Sequence, residues 1–188
     1  CATNVLTGRL KVFENQEITP KMILASACLP YLYQAPEIDG EYYWDGGYMG
    51  NPPIFPVIYN TNCQDVLIVQ INPINIHEVP RSANAIFDRI NTLSFNSSLM
   101  REMRAIHFVT SLIEKGELDA TKYKHTFIHT IDAEEQMSKL TASSKMNLDM
   151  DFLKYLFETG REKTGEFLAN HYDEIGRKSS TDLAAKFF

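Results

Sequence analysis

Apolar and polar positions along this chain change period several times, and each change marks an element. Residues Ala2 to Val5 and Arg9 to Phe13 read as two short β runs, with Leu6-Thr7-Gly8 between them as a hairpin turn. Thr19-Pro20 opens a helix through Met22, Ile23 and Ala27. Thr can cap it, Pro suits a first position whose N–H is not needed, and Pro30 limits its extent. Ala35–Ile38 and Glu41–Trp44 flank Asp39-Gly40, a dipeptide suited to a tight turn of the primed type. That hairpin sets Asp45 at the far end of its second strand. Pro52, Pro53 and Pro56 mark a rigid loop leading into a short helical turn. Val66 to Ile71 is a β-branched run with little polar alternation, which predicts a strand covered on both faces.

Longer elements follow. Pro80 to Asn84 punctuates the chain, and residues 85–115 predict a long helix that Gly116 stops. Ile86, Ile90 and Leu93 form one stripe on it, and Phe95, Leu99, Met103 and Ile106 continue the stripe out of phase. His125 to Ile131 returns to strand character. Asn147 can cap a last long helix, with Asp149 and Asp151 in its first turn favoured by the helix dipole. The expected apolar face of that helix is Leu153, Leu156, Phe157, Gly160, Thr164, Phe167, Leu168 and Ile175, with Gly160 permitting close packing. Residues 177–188 read as a polar tail with a small apolar end. Strands and helices alternate without an internal repeat or a linker, so the chain is expected to be one α/β unit.

Composition narrows the partners. Of 188 residues, 44% are hydrophobic and 22% charged, and the net charge of −6 disfavours nucleic acid, whose phosphates need a basic face. The same charge gives no general attraction to anionic membranes and leaves room only for peripheral contact through a local patch. No run of about 18 apolar residues exists to span a membrane. Cys1, Cys28 and Cys63 are odd in number and lack metal-type spacing, so they are expected to be reduced apolar fillers. The chain opens on Cys1-Ala2-Thr3-Asn4-Val5, a strand already under way with no initiator Met, and is expected to be the later part of a longer protein.

Asp45-Gly46-Gly47 is the leading candidate for chemistry. A carboxylate at a strand end is held by the sheet, and two glycines let the chain turn away from whatever approaches. The same triplet also suits a plain turn, with Asp45 bonding its own backbone. Ser26 could be a nucleophile or a small helix residue chosen for packing. Leu29, Tyr31, Leu32, Tyr33, Tyr48, Met49, Ile54 and Phe55 could wall an acyl-chain pocket or simply pack. His125 and His129 are four apart, but on a strand that is roughly 13 Å, too far for one zinc ion. No metal site is expected. Arg89, Arg101 and Arg104 could touch lipid head groups or form a solvated helix face.

The ordered set Ala25-Ser26-Ala27-Cys28-Leu29-Pro30, Glu37-Ile38-Asp39-Gly40, Tyr43-Trp44-Asp45-Gly46-Gly47 and Asn51-Pro52 resembles the patatin-like phospholipases, a family of lipid acyl hydrolases. Ser144-Lys145-Met146-Asn147 and the Asp-Met-Asp-Phe-Leu run after Leu148 resemble the approach to the C-terminal helix of bacterial members. The resemblance spans residues 2–175, with its specific motifs in the first part. It implies a three-layer α/β/α patatin-like (lysophospholipase-like) fold, no cofactor, a lipid ester substrate, and a Ser-Asp dyad in which Asp45 is the general base, supported by Gly46 and Gly47. The family's Gly-x-Ser-x-Gly elbow and glycine-rich oxyanion loop are not among these residues, since no pair of the nine glycines brackets a serine. Residues 1–188 are therefore expected to be the C-terminal part of a single patatin-like domain, inactive alone. The partner implied is a missing N-terminal half that carries the nucleophile. The competing expectation is a non-catalytic α/β module that binds lipid or protein.

Overall fold

The first hairpin starts the chain. In the computed structural model, which describes residues 1–188 apart from the side chains of Ala142 and Ser143, β1 (Ala2–Asn4) pairs antiparallel with β2 (Leu10–Lys11). Gly8 takes φ +65° in the turn, and Asn4 Oδ1 accepts from the backbone N–H groups of Leu6 and Thr7 at 3.1 and 2.9 Å. Helix α1 (Pro20–Ser26) begins as its sequence predicts, with Thr19 Oγ1 accepting from Met22 N and Pro20 in the first turn. Strands β3 (Glu37–Ile38) and β4 (Glu41–Asp45) form the second hairpin. Asp39 (φ +52°) and Gly40 (φ +81°) both lie in the left-handed region, as a type I′ turn requires.

These strands make one antiparallel sheet in the order β2-β1-β4-β3. Met22 and Ala25 of α1 pack on it with Ala2, Ile38 and Tyr43, and Phe13 meets the Tyr43 ring edge-on at 5.7 Å. Two alanines in this contact let the short helix lie close to the strands. After a short 3₁₀ turn at Gly46–Tyr48 comes α2 (Phe55–Asn60).

Strand β5 (Asp65–Gln70) pairs in parallel with β6 (Phe127–Asp132), in register from Asp65↔Phe127 to Gln70↔Asp132. Covering of β5 on both faces does not hold: Ile68 and Gln70 are buried, while Leu67 and Val69 are exposed. An unbroken apolar run reports the chemistry of both faces but not whether each has a neighbour. Between the strands runs α3 (Ala83–Glu114), capped by Ser82 and ended by Gly116 at φ +73°. Its out-of-phase stripes have different fates. Leu99, Met103 and Ile106 are buried, whereas Ile86, Ile90 and Leu93 are largely exposed.

The chain continues through α4 (Glu134–Met137) and a 3₁₀ turn to α5 (Met150–His171). Asp149, not Asn147, is the cap, accepting from Phe152 N at 3.0 Å, while Asn147 Oδ1 accepts from Asp149 N one step earlier. Gly160 does not serve close packing: a Cβ there would meet nothing within 4 Å. Residues 177–188 are polar in composition but are built into the fold. Thr181 N donates to Ile128 O, Ile128 N donates to Ser179 Oγ, and α6 (Leu183–Phe187) buries Leu183 and Phe187.

The chain is thus of mixed α/β class. Its backbone divides into two compact units, Cys1–Thr61 with Ser94–Glu102, and Asn62–Leu93 with Met103–Phe188. Helix α3 contributes its middle to the first and its ends to the second.

Candidate active site

Asp45 ends β4, where three backbone constraints fix it. Its N–H donates to Cys28 O at 2.9 Å, its carbonyl accepts from Thr3 Oγ1 at 2.8 Å, and the β1 register sets Ala2 opposite it. The side chain then caps the 3₁₀ turn, Oδ1 accepting from Gly47 N at 2.7 Å. Among the described residues no donor meets Oδ2. The carboxylate's charge is felt nearby: burial and then Asp45 raise the Cys28 thiol, and burial, Asp45 and Tyr31 raise the Tyr48 phenol.

The two glycines are required by space. A Cβ on Gly46 would lie 2.5 Å from Cys1 O, and one on Gly47 would lie 2.7 Å from Phe95 Cε1 and 3.1 Å from Asp45 Oδ1. Both therefore let neighbouring groups crowd the carboxylate's turn. Beyond them Asn51 N donates to Ser98 Oγ at 2.9 Å, Tyr48 packs against Phe95 with ring centroids 5.1 Å apart, and Glu102 receives the N–H groups of Ile54 and Phe55 at the start of α2. Sequence reading missed Thr3, Phe95, Ser98 and Glu102 as positioning residues. Nothing in the local pattern connects α3 to a loop some 47 residues earlier.

Other candidates separate. Ser26 Oγ donates to Ile23 O at 2.7 Å, within its own helix. Ile54 is buried at 2% exposure, while Tyr31, Leu32 and Tyr33 stand exposed. Arg89 Nη1 donates to Ile74 O, and the Arg104 guanidinium lies over the Phe188 ring. His125 and His129 both belong to β6 or its approach. His129 is buried, with Nε2 on Asp65 Oδ1 at 3.0 Å and Nδ1 on Ser180 Oγ at 2.9 Å. Among the described residues no group of three or more His, Cys, Asp or Glu side chains is placed to hold a metal ion.

What the first unit presents is a strand-end carboxylate with one oxygen in a glycine turn and the other without a donor among the described residues. That is the stretch where comparison with known families gives an answer. Residues 3–58 match the family model of patatin-like phospholipases. The patatin-like segment runs from β1 into α2 and includes Asp45, Gly46 and Gly47. It lies at the N-terminal end of this chain, and Ser144–Asn147 fall outside it. No curated protein and no solved structure matches the chain significantly. The family matched over those residues is one of lipid acyl hydrolases.

Proposed function

We propose that this chain contributes the general-base carboxylate of a Ser-Asp lipid acyl hydrolase, with Asp45 as the base and the nucleophilic serine on a segment outside these 188 residues. The reading rests on one observation: Asp45 spends Oδ1 on Gly47 N and leaves Oδ2 without a donor among the described residues. The family match over residues 3–58 supports it. In the intact protein the serine attacks the ester carbonyl while Asp45 takes its proton; the tetrahedral intermediate then expels the alcohol, which leaves with that proton, and water releases the fatty acid from the acyl-enzyme. General-base assistance of this kind contributes on the order of 10²–10⁴-fold. An oxyanion donor adds about 10²–10³-fold. Residues 1–188 then form the C-terminal part of one domain of three-layer α/β/α type. Alone they are silent in acyl transfer, because Asp45 has no hydroxyl to activate.

A serine-directed phosphonate tests this. It should label the protein extended upstream of Cys1 and leave the 188-residue chain unlabelled, and Asp45→Ala in the extended protein should suppress both labelling and esterase turnover. An extended protein with no reactive serine would point instead to the alternative, a lipid- or protein-binding module. Unchanged turnover in a folded Asp45→Ala variant would remove the assignment.

A further inference from the structure

Helix α5 carries two apolar stripes, and only one is used inside the chain. Phe152, Leu156 and Phe167 lie on the covered side, whereas Met150, Leu153, Phe157 and Leu168 stand exposed, Phe157 at 61%. With Gly160 and Thr164 these four form one line along the helix, at steps of three and four residues. A surface helix ordinarily spends such a line on packing.

The line is self-complementary when a second α5 lies antiparallel across a two-fold axis passing between Gly160 and Arg161. Leu153 then stands level with the partner's Leu168, and Phe157 with the partner's Thr164. Each pairing occurs twice, as a closed two-fold contact requires. Phe157 is the knob, and the hole is open. A Cβ on Gly160 would meet nothing within 4 Å, and Thr164 beside it is short and exposed. Charge agrees with this direction. Glu158 and Arg161 border the line on one flank, and antiparallel packing brings that flank against its own copy, Arg161 against the partner's Glu158. Among the described residues Glu158 has no ion pair, while the Arg161 guanidinium lies 5.6 Å over its own Phe157 ring, already at the edge of the contact. A parallel pair would set Phe157 level with Phe157 and leave both Gly160 notches facing each other unfilled.

We propose that this face of α5 docks a second copy of the chain, giving a two-fold dimer through antiparallel α5 helices. Helix α5 belongs to the unit without Asp45, so the dimer does not rest on the acyl-hydrolase reading. Its 22 residues give a contact about 33 Å long. That is the small end of stable interfaces, and the dissociation constant is expected to be on the order of 10 µM.

Sedimentation velocity on the 188-residue chain, over concentrations on both sides of that constant, tests the proposal. Wild type should pass from monomer to dimer and stop there. Gly160→Phe should stay monomeric with its circular dichroism unchanged, because the new ring fills the hole while meeting nothing in its own chain. A merely sticky patch would associate more strongly with that added ring, so the variant separates fit from greasiness. Glu158→Arg and Arg161→Glu should each weaken the dimer by about tenfold, and the double exchange should restore it. Mixing Leu153→Cys with Leu168→Cys chains should give a disulfide-linked pair under mild oxidation that neither variant gives alone. A wild type that stays monomeric would leave this face to another segment of the protein and overturn the proposal. Association that survives Gly160→Phe, or charge exchanges that do not rescue each other, would overturn it as well.

Discussion

Asp45 Oδ1 accepts a 2.7 Å hydrogen bond from Gly47 N, so the turn residue and the candidate base are one carboxylate using two different oxygens. The roles can be separated by substitution. Asn retains an acceptor for Gly47 but cannot take a proton from serine. Ala loses both. In the 188-residue chain, Asp45→Ala should cost about 1 kcal/mol of stability as a lost cap, and Asp45→Asn only a fraction of that. In the extended protein both should lower esterase turnover by roughly 10²–10⁴-fold. Urea unfolding and ester hydrolysis on the same variants check this. An active Asp45→Asn enzyme would leave Asp45 a turn residue only.

Gly46 and Gly47 predict different rescues. A methyl on Gly46 meets the backbone carbonyl of Cys1, which side-chain repacking cannot move away. On Gly47 it meets the Phe95 ring, a side chain that can be shortened. Each Ala substitution should destabilise by about 1–3 kcal/mol as overpacking. Phe95→Leu should then recover part of the loss at Gly47 and none at Gly46. A double-mutant cycle in urea measures that coupling, and equal behaviour at both positions would contradict the contact geometry.

Local chemistry explains which features were legible in the sequence. Thr19-Pro20, Asp39-Gly40 and Gly116 act through their own dihedrals and nearest hydrogen bonds, and each element they begin, turn or end lies where their chemistry puts it. Faces were harder to read. The covered side of α5 runs through Phe152, Leu156, Thr159, Lys163 and Phe167, while Leu153, Phe157 and Leu168 stand exposed. Thr159 hides there by donating to Tyr155 O, and Lys163 by pairing with Glu166, so two positions on the covered side send no hydrophobic signal. Of the site, Asp45 and its glycines were visible because strand end and turn are contiguous. Phe95, Ser98 and Glu102 reach it only through tertiary contact.

Asp65 sets an acid limit. Burial would raise its carboxyl, but the Gly176 N–H and His129 outweigh that and hold it below its ordinary value of 3.8. Folding therefore favours the ionised form. Its contribution is fully present above the unfolded value and drains away as pH falls through 3.8 toward the lower folded value. Asp65→Asn should be less stable than wild type at neutral pH, and the gap should shrink with acidification below about pH 4. Urea midpoints of both proteins along that range test it. A gap that widens in acid would mean the carboxyl is not held low.

Glu102 works in the opposite direction. Its carboxylate receives the Ile54 and Phe55 N–H groups, the start of a helix that has no cap of its own, yet burial outweighs those bonds and raises it above 4.5. The protonated form is thus favoured by folding. Stability from this group is complete below the unfolded value and is lost as pH rises through the higher folded value. On acidification from neutral pH toward 4.5, wild type should therefore gain from Glu102 before Asp65 begins to cost it. Glu102→Gln keeps an acceptor oxygen for the helix start and has nothing to titrate. Its stability should match or exceed that of wild type at neutral pH, and wild type should close the difference as pH falls. A wild type that instead falls further behind the Gln variant over this range would show that the two N–H bonds, and not burial, govern the carboxyl.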